Sequence, residues 1–553
     1  MSPVRDPSST LHPVAQVHAD DYRDGKIGRR EFLARATALG VTAIGAYGLI
    51  GATAPARAAG HARAGGTLRI QQGVRPMTEP RLFEWSEIGN ISRGWLEHLV
   101  TYNRDGTFSP VLLESWEVNG DATVYRLFLR QGVTWNNGDA FTSADVLANF
   151  RGWCDTSVEG SSTPGRMGGL VDPATGQMRE GAVVAEDDHT LVLTFPKPDI
   201  AIIAGLSDYP MVVQHRNHIG ANPIETPIGT GAYRPVEYEP GVRAVIEKNA
   251  DHVWWNAGNG AFLDRIEFVD YGTDPASALR ALEAGEIDMT YQSVGEFIAI
   301  LDDLGFARSE TATAATLVCR PNAKAEVDGL RPYADARVRR ALALAVDNRI
   351  VLEIGYADRG VTAENHHIAP VHPAYADLPP IVPDPDAAFA LMSEAGMEEF
   401  EHEIISLDDG FERDSTDAVA AQLRDAGFSV TRTVLPGSTY FDRWRDYPFS
   451  TTTWNHRPLD IQVPLLAYKS DGVWNETGFA SEEYDRLLED ASALTDADAR
   501  RDKVRRMQEI MQEEGVVIQP YWRTLYRHAI PGLTGAEMHP QFEIAYQYIG
   551  FTR

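Results

Sequence analysis

Residues 128–146 read Phe-Leu-Arg-Gln-Gly-Val-Thr-Trp-Asn-Asn-Gly-Asp-Ala-Phe-Thr-Ser-Ala-Asp-Val. The hydrophobic period changes inside this stretch, and that change decides the class of fold. Its first residues continue Tyr125-Arg126-Leu127-Phe128-Leu129, whose alternation indicates a strand with one wet face. Asn137-Gly138-Asp139 is a strong turn signal. Thr142 followed by Asp145 is a capping-box-like start, which predicts a helix through Phe150. Strand, turn and helix in such close succession argue for an α/β protein.

The same alternation of elements continues on both sides. Residues 65–70 read as a first strand, and 100–102 as a second, followed by the turn Asn103-Arg104-Asp105-Gly106. Residues 155–181, rich in Gly, Ser and Pro, look like a long excursion, after which 190–195 return to strand. Asp274-Pro275 starts a helix with an N-cap and Pro in its first turn, and Gly285 ends it. Asp335 caps a helix with Val338, Leu342 and Ala345 at helical spacing. Residues 415–426 read as a helix stopped by Gly427, with a strand from Phe428. Residues 496–514 form a long amphipathic pattern with Val504, Met507, Ile510 and Met511 on one stripe; Gly515 stops it, and Val516-Val517-Ile518 is a candidate buried strand. No repeat of solenoid period is present.

Upstream, Gly28-Arg29-Arg30-Glu31-Phe32-Leu33-Ala34-Arg35 precedes a weakly apolar segment, 36–54, that closes on Ala56-Arg57-Ala58. A twin-arginine pair, a short apolar region and a small-x-small site make the layout of a cleaved export signal. Gly28 and Ala34 stand where that pattern usually has Ser or Thr and Lys. Gly40, Gly45, Gly48 and Gly51 dilute the segment below what a spanning helix of about 20 apolar residues needs. Residues 1–58 are therefore expected to be a Tat-type signal peptide, and the remaining roughly 495 residues to work in the periplasm. No Cys lies near the cleavage site, which argues against a lipid anchor.

The chain has 553 residues and a net charge of −29. The first 58 residues contribute +2, leaving −31 on the remainder. Such a surface repels phosphate backbones, so nucleic acid is excluded as a partner. Cys154 and Cys319 are the only cysteines; their separation suggests two buried thiols more than a disulfide.

Five stretches, in order, resemble the large extracytoplasmic solute-binding proteins of ABC importers, the dipeptide/oligopeptide/nickel-binding family (family 5). They are residues 90–100 (NISRGWLEHLV), 106–116 (GTFSPVLLESW), 128–146 (FLRQGVTWNNGDAFTSADV), 227–233 (PIGTGAY) and 335–348 (DARVRRALALAVDN). Their physical content is packing: apolar and aromatic burial along 128–135, and close backbone approach at Gly229-Thr230-Gly231. That glycine pair is not a phosphate loop, since the Gly-Lys-Ser/Thr ending is missing. The resemblance, spanning about 65–530, implies a two-lobe periplasmic-binding-protein clamshell (type II, cluster C) with an extra domain inserted in the first lobe. Its parts would be lobe I at 65–98, 225–322 and 515–553, the inserted domain at 99–224, and lobe II at 323–514. It further implies a monomer that closes on a peptide or other small solute by hinge motion and delivers it to permease subunits served by a separate ATPase, with no cofactor of its own.

Candidate ligand contacts centre on Trp454-Asn455-His456-Arg457 and Asp460. In peptide-binding relatives a Trp is followed shortly by an Asp that pairs with the peptide amino terminus. Trp454 resembles that Trp, but Arg457 stands where the acid is expected. A guanidinium there suits a ligand carboxylate or phosphate; alternatively it pairs with Asp460 or another acid and shapes the wall, or Asp460 itself holds an amine. Trp85 and Ser86, beside the 90–100 motif, and Trp474 and Asn475 complete the set, the aromatics as stacking surfaces. His366, His367 and His372 form the only histidine cluster, and the flanking Pro370 and Pro373 point to a loop at the cleft mouth more than to a metal site.

No nucleophile elbow, His-Glu-x-x-His, Cys-x-x-Cys or Ser-x-x-Lys pattern occurs. Acidic pairs such as Glu398-Glu399 and Asp408-Asp409 read as solvated faces, although a glycosidase-type carboxylate pair is compatible with so acidic a chain. The expectation is a binding protein that is not an enzyme; a secreted hydrolase or a chemosensory ligand receptor on the same fold are the competing readings.

Overall fold

The computed structural model describes residues 13–54 and 62–552. The proposed cleavage site at 56–58 lies outside the described residues.

Sequence-local signals produce most of the elements. The helix Ser143–Trp153 starts at the Thr142 capping box. Asp274, Asp335 and Asp496 each accept a backbone N–H at the first turns of Pro275–Glu283, Ala336–Leu344 and Ala497–Glu513. Each such cap is worth about 1 kcal/mol. Two expectations need correction. The helix placed at 415–426 begins five residues earlier, as Gly410–Asp425. Val516-Val517-Ile518 is buried but forms no strand; Ile518 only bridges to Cys319. Both cysteines are buried free thiols.

An eleven-stranded mixed sheet organises two lobes. On one side Thr67–Gln71 lies parallel to both Arg265–Val269 and Met289–Thr290. On the other, His402–Leu407 lies parallel to Val430–Leu435 and Phe449–Trp454. Two long antiparallel strands, Ala307–Pro321 and Tyr521–Ala529, run through both halves. Their register breaks between Ala312 and Thr316, a bulge that bends the crossing pair where the halves meet. A separate antiparallel sheet, Leu113–Val118, Val124–Leu129, Thr190–Thr194 and Val183–Asp187, holds the first two residues of the stretch quoted at the outset.

Three of the sequence motifs meet in space. A Cβ on Gly229 would lie 1.9 Å from the Trp95 carbonyl oxygen, and one on Gly231 2.5 Å from that of Gly94. The Asn136 amide donates to Pro227 O, and its backbone N–H to Gly229 O. Beneath them the buried Glu97 accepts from Thr230, Trp254 and Trp255.

Helices Pro13–Arg23, Arg29–Ala38 and Ala43–Leu49 pack on this body. Arg30 donates to Ala312 O at the bulge, and Thr37 accepts from Phe108 N. No helix among the described residues is long and apolar enough to cross a membrane.

Candidate functional site

The strand Phe449–Trp454 ends where the lobes face each other, and the next three residues cross the gap. Asn455 donates to the Ser86 hydroxyl at 3.2 Å, and Ser86 shares a 2.6 Å hydrogen bond with Tyr291. His456 accepts from Ala314 N through Nδ1, which places its proton on Nε2, 3.4 Å from the Tyr102 hydroxyl. Arg457 Nε donates to Asp208 Oδ2 at 3.1 Å, and its Nη1 to His456 O.

Arg457 thus pairs with an acid, as one alternative had it, but the acid is Asp208 and not Asp460. Both oxygens of Asp460 are taken by Arg500, with Asp460 fully buried. Asp208 holds a second guanidinium: Arg166 Nε lies 2.7 Å from the same Oδ2. Burial raises the Asp208 carboxyl, but Arg166 and Arg457 outweigh it and hold it below the usual range. Arg457 also lies over the Tyr209 ring, and Arg166 over Trp474, a cation–π contact at 5.2 Å.

Of the predicted aromatics, Trp85 stands at the interface. It meets Phe441 edge-on at 4.6 Å, with Arg75 over its face at 4.5 Å. Trp454 turns inward and donates to Glu476, which also binds the fully buried Arg320. Asn475 bonds Lys469 O and Phe479 O and shapes its own loop. Sequence reading missed Arg166, Asp208 and Tyr209. Arg166 sits in the excursion 155–181, where a lone Arg carries no signal, and Asp208 is one of 79 acids.

The histidine cluster is not at a mouth. His366, His367 and His372 are buried and bond Gln508, Tyr468 and Arg457 O. No group of three metal-ligating side chains occurs among the described residues.

Asp409 is likewise not a solvated face: its Oδ1 is sealed and unpartnered. It neighbours Glu412, which accepts from Thr453, and Arg523, which donates to Gln292 and lies over Phe411. Burial first, then Asp409, raises the Glu412 carboxyl. A carboxyl raised by folding contributes stability at low pH that is lost as pH climbs through its folded value. Glu412→Gln should therefore raise the melting temperature at pH 9 by roughly 2 °C or more, with little change at pH 5. Equal shifts at both pH values would contradict a buried, protonated Glu412.

Comparison with known proteins places these features. The sequence profile of the bacterial extracellular solute-binding proteins, family 5 (middle region), matches residues 107–476. The chain is 22% identical to the probable deoxycholate-binding periplasmic protein YgiS of Escherichia coli, over 85% of this chain and 90% of that protein. It is 22% identical to the dipeptide-binding protein DppE of Bacillus subtilis, over 82% and 86%. The fold superposes on Haemophilus influenzae OppA in complex with RPPGFSPFR with a TM-score of 0.78 at 20% identity, covering 88% of this chain and 99% of that one. It superposes on AgaA in complex with agropinic acid with a TM-score of 0.77 at 20% identity, over 88% and 99%.

Proposed function

Since the chain belongs to the bacterial extracellular solute-binding proteins of family 5, we propose that it captures a small solute between its lobes and hands it to an ABC importer. It is the periplasmic substrate-binding component of that system, and the ATPase and permease are separate chains. The observation that carries this reading is the set of side chains paired across the gap: Asn455 with Ser86, Arg457 with Asp208, Trp85 with Phe441. Each pair joins opposite sides of the gap, so opening would break all three and closure gives the permease a distinct shape to recognise.

The lobes are assigned as lobe I at 65–98, 225–322 and 515–553, the inserted domain at 99–224, and lobe II at 323–514. The hinge is the bulge at Ala312–Thr316, where few ladder bonds resist bending. Ligand contacts are Trp85, Ser86, Asn455 and Arg457, joined by Arg166, Asp208 and Tyr209; Trp454, His456, Asp460, Trp474 and Asn475 support them. Residues 1–58 serve as a cleaved twin-arginine signal, and the processed protein acts as a monomer.

Relatives carry names as different as dipeptide-, heme- and nickel-binding, so family membership leaves the cargo open. Native mass spectrometry of protein taken from its host periplasm tests the reading. The expected result is a co-purifying small molecule whose mass is unchanged after incubation and whose addition to stripped protein raises the melting temperature. A molecule converted to products during incubation would favour the hydrolase reading instead.

A further inference from the structure

With the lobes shut, the gap narrows here to a recess of only about 20 Å³, lined from the inserted domain by Arg166, Gly205 and Asp208, and from lobe II by Arg457, Gln462 and Leu466. Its charge is unbalanced: two guanidiniums share one carboxylate oxygen. The other oxygen, Oδ1, accepts from Tyr209 N. All three charged side chains are more than nine-tenths buried, Arg166 at 7%, Asp208 at 2% and Arg457 at 4% exposure. Arg166 Nη2 is sealed from solvent and, although 2.7 Å from Asp208 Oδ2, is not aligned to bond it. One donor-rich positive charge is therefore left over inside a molecule of net charge −29.

Burying an uncompensated cation is costly unless a partner arrives. The three groups do not move together. Arg166 and Asp208 stand on the same inserted domain, held by Ser162 O and Tyr209 N. Arg457 arrives from the other lobe, steadied through its own strand end by His456 O and over the Tyr209 ring. Opening separates Arg457 from Asp208 while Arg166 keeps it. A solute entering the open gap thus meets an uncompensated Arg457 beside an Arg166 neutralised by Asp208, both planar forks suited to an oxyanion. Leu465, Leu466 and Ala201 offer apolar wall beside them.

We propose that this recess is an anion subsite that takes the carboxylate of a small apolar acid, clamped between Arg457 and Arg166 when the lobes close, with Asp208 as the internal counter-ion to one guanidinium and the other guanidinium repelling amines. The proposal rests on the solute-binding reading above and specifies its substrate class.

Two matched probes test it: 4-methylpentanoate and 3-methylbutylamine, of similar shape and opposite charge, titrated calorimetrically into protein stripped of endogenous molecules. The carboxylate should bind saturably and the amine should not. Arg457→Gln should weaken carboxylate binding by tenfold or more, and Arg166→Gln similarly. Asp208→Asn should strengthen it if the variant keeps the wild-type circular dichroism spectrum; Arg457→Lys, which keeps the charge but loses the fork, should be intermediate and serves if Asp208→Asn does not fold. Preference for the amine, absence of carboxylate binding, or unchanged affinity in Arg457→Gln would overturn the subsite. A native-state cargo still found on a protein that ignores 4-methylpentanoate would sink the subsite alone; the lack of any periplasmic cargo would sink the functional reading beneath it.

Discussion

Replacing Gly229 by alanine is expected to remove a large part of the protein's stability. The new methyl would lie 1.9 Å from the Trp95 carbonyl oxygen, and the atom it meets is backbone, so no side-chain rotation relieves the contact. Gly231 repeats the situation two residues later, 2.5 Å from the Gly94 carbonyl oxygen. Relief would require separating 227–233 from 90–100, which would also pull Thr230 from Glu97 and leave a buried carboxylate short of a donor. Costs of about 4 kcal/mol or more follow from such combinations of overpacking and lost polar partners, a large part of the 5–15 kcal/mol by which domains are typically stable. Gly120→Ala is the control: nothing lies within 4 Å of its Cβ position, and the change should be within about 0.5 kcal/mol of neutral. Denaturant melts of the three proteins decide the matter. A Gly229→Ala variant as stable as the control would mean that the two motifs do not pack as described.

Acid should unfold the protein steeply. His98, His367 and His539 are pushed down to about 3, and His366 and His372 to about 4, in every case mainly by burial. A histidine lowered by folding stays neutral in the native state and charges in the unfolded one. Its stabilising contribution is complete above the unfolded value of 6.5 and is lost as pH falls through the folded value. Each such group adds up to one proton to the slope, about 1.4 kcal/mol per pH unit. Several acting together between pH 6 and 4 should remove most of the stability present at pH 7. His539→Gln, at a position where Nε2 donates to Tyr102 O, should lower the slope by roughly one proton, about 1.4 kcal/mol per unit. Urea midpoints at pH 7, 5.5 and 4.5 measure this, and midpoints that do not fall toward pH 4.5 would refute the buried, neutral histidines.

These two expectations draw on different kinds of information. The glycine contact was legible in outline: Gly229-Thr230-Gly231 announced a close backbone approach, because paired glycines in a non-helical, non-phosphate context have little other use. The histidines were misread. Adjacent His366 and His367, followed by Pro370 and Pro373, look like a surface loop, and nothing local tells that a neighbouring helix supplies Gln508 to satisfy one of them. Asp409 misled for the same reason: an Asp-Asp pair reads as solvated, and Asp408 is exposed, but burial and the charge of Arg523, more than a hundred residues away, set the surroundings of Asp409.

The candidate site divides along the same line. The charge reversal at Arg457 was visible because it departs from a pattern three residues after Trp454, but its partner was not. Asp460 was the near candidate by sequence, and Arg500 had already claimed it; Asp208 lies 249 positions away and is brought near only by the fold.

What the residues determined by themselves is local and periodic: capped helices, alternating strands, turns, an acidic surface, and motifs whose order marks the family. Those features depend on neighbours a few positions apart, where chain connectivity fixes the distance. Which acid meets which guanidinium, and which histidine stays dry, depends on contacts between distant segments. Only tertiary packing sets those distances, and burial then multiplies the electrostatic consequence of each.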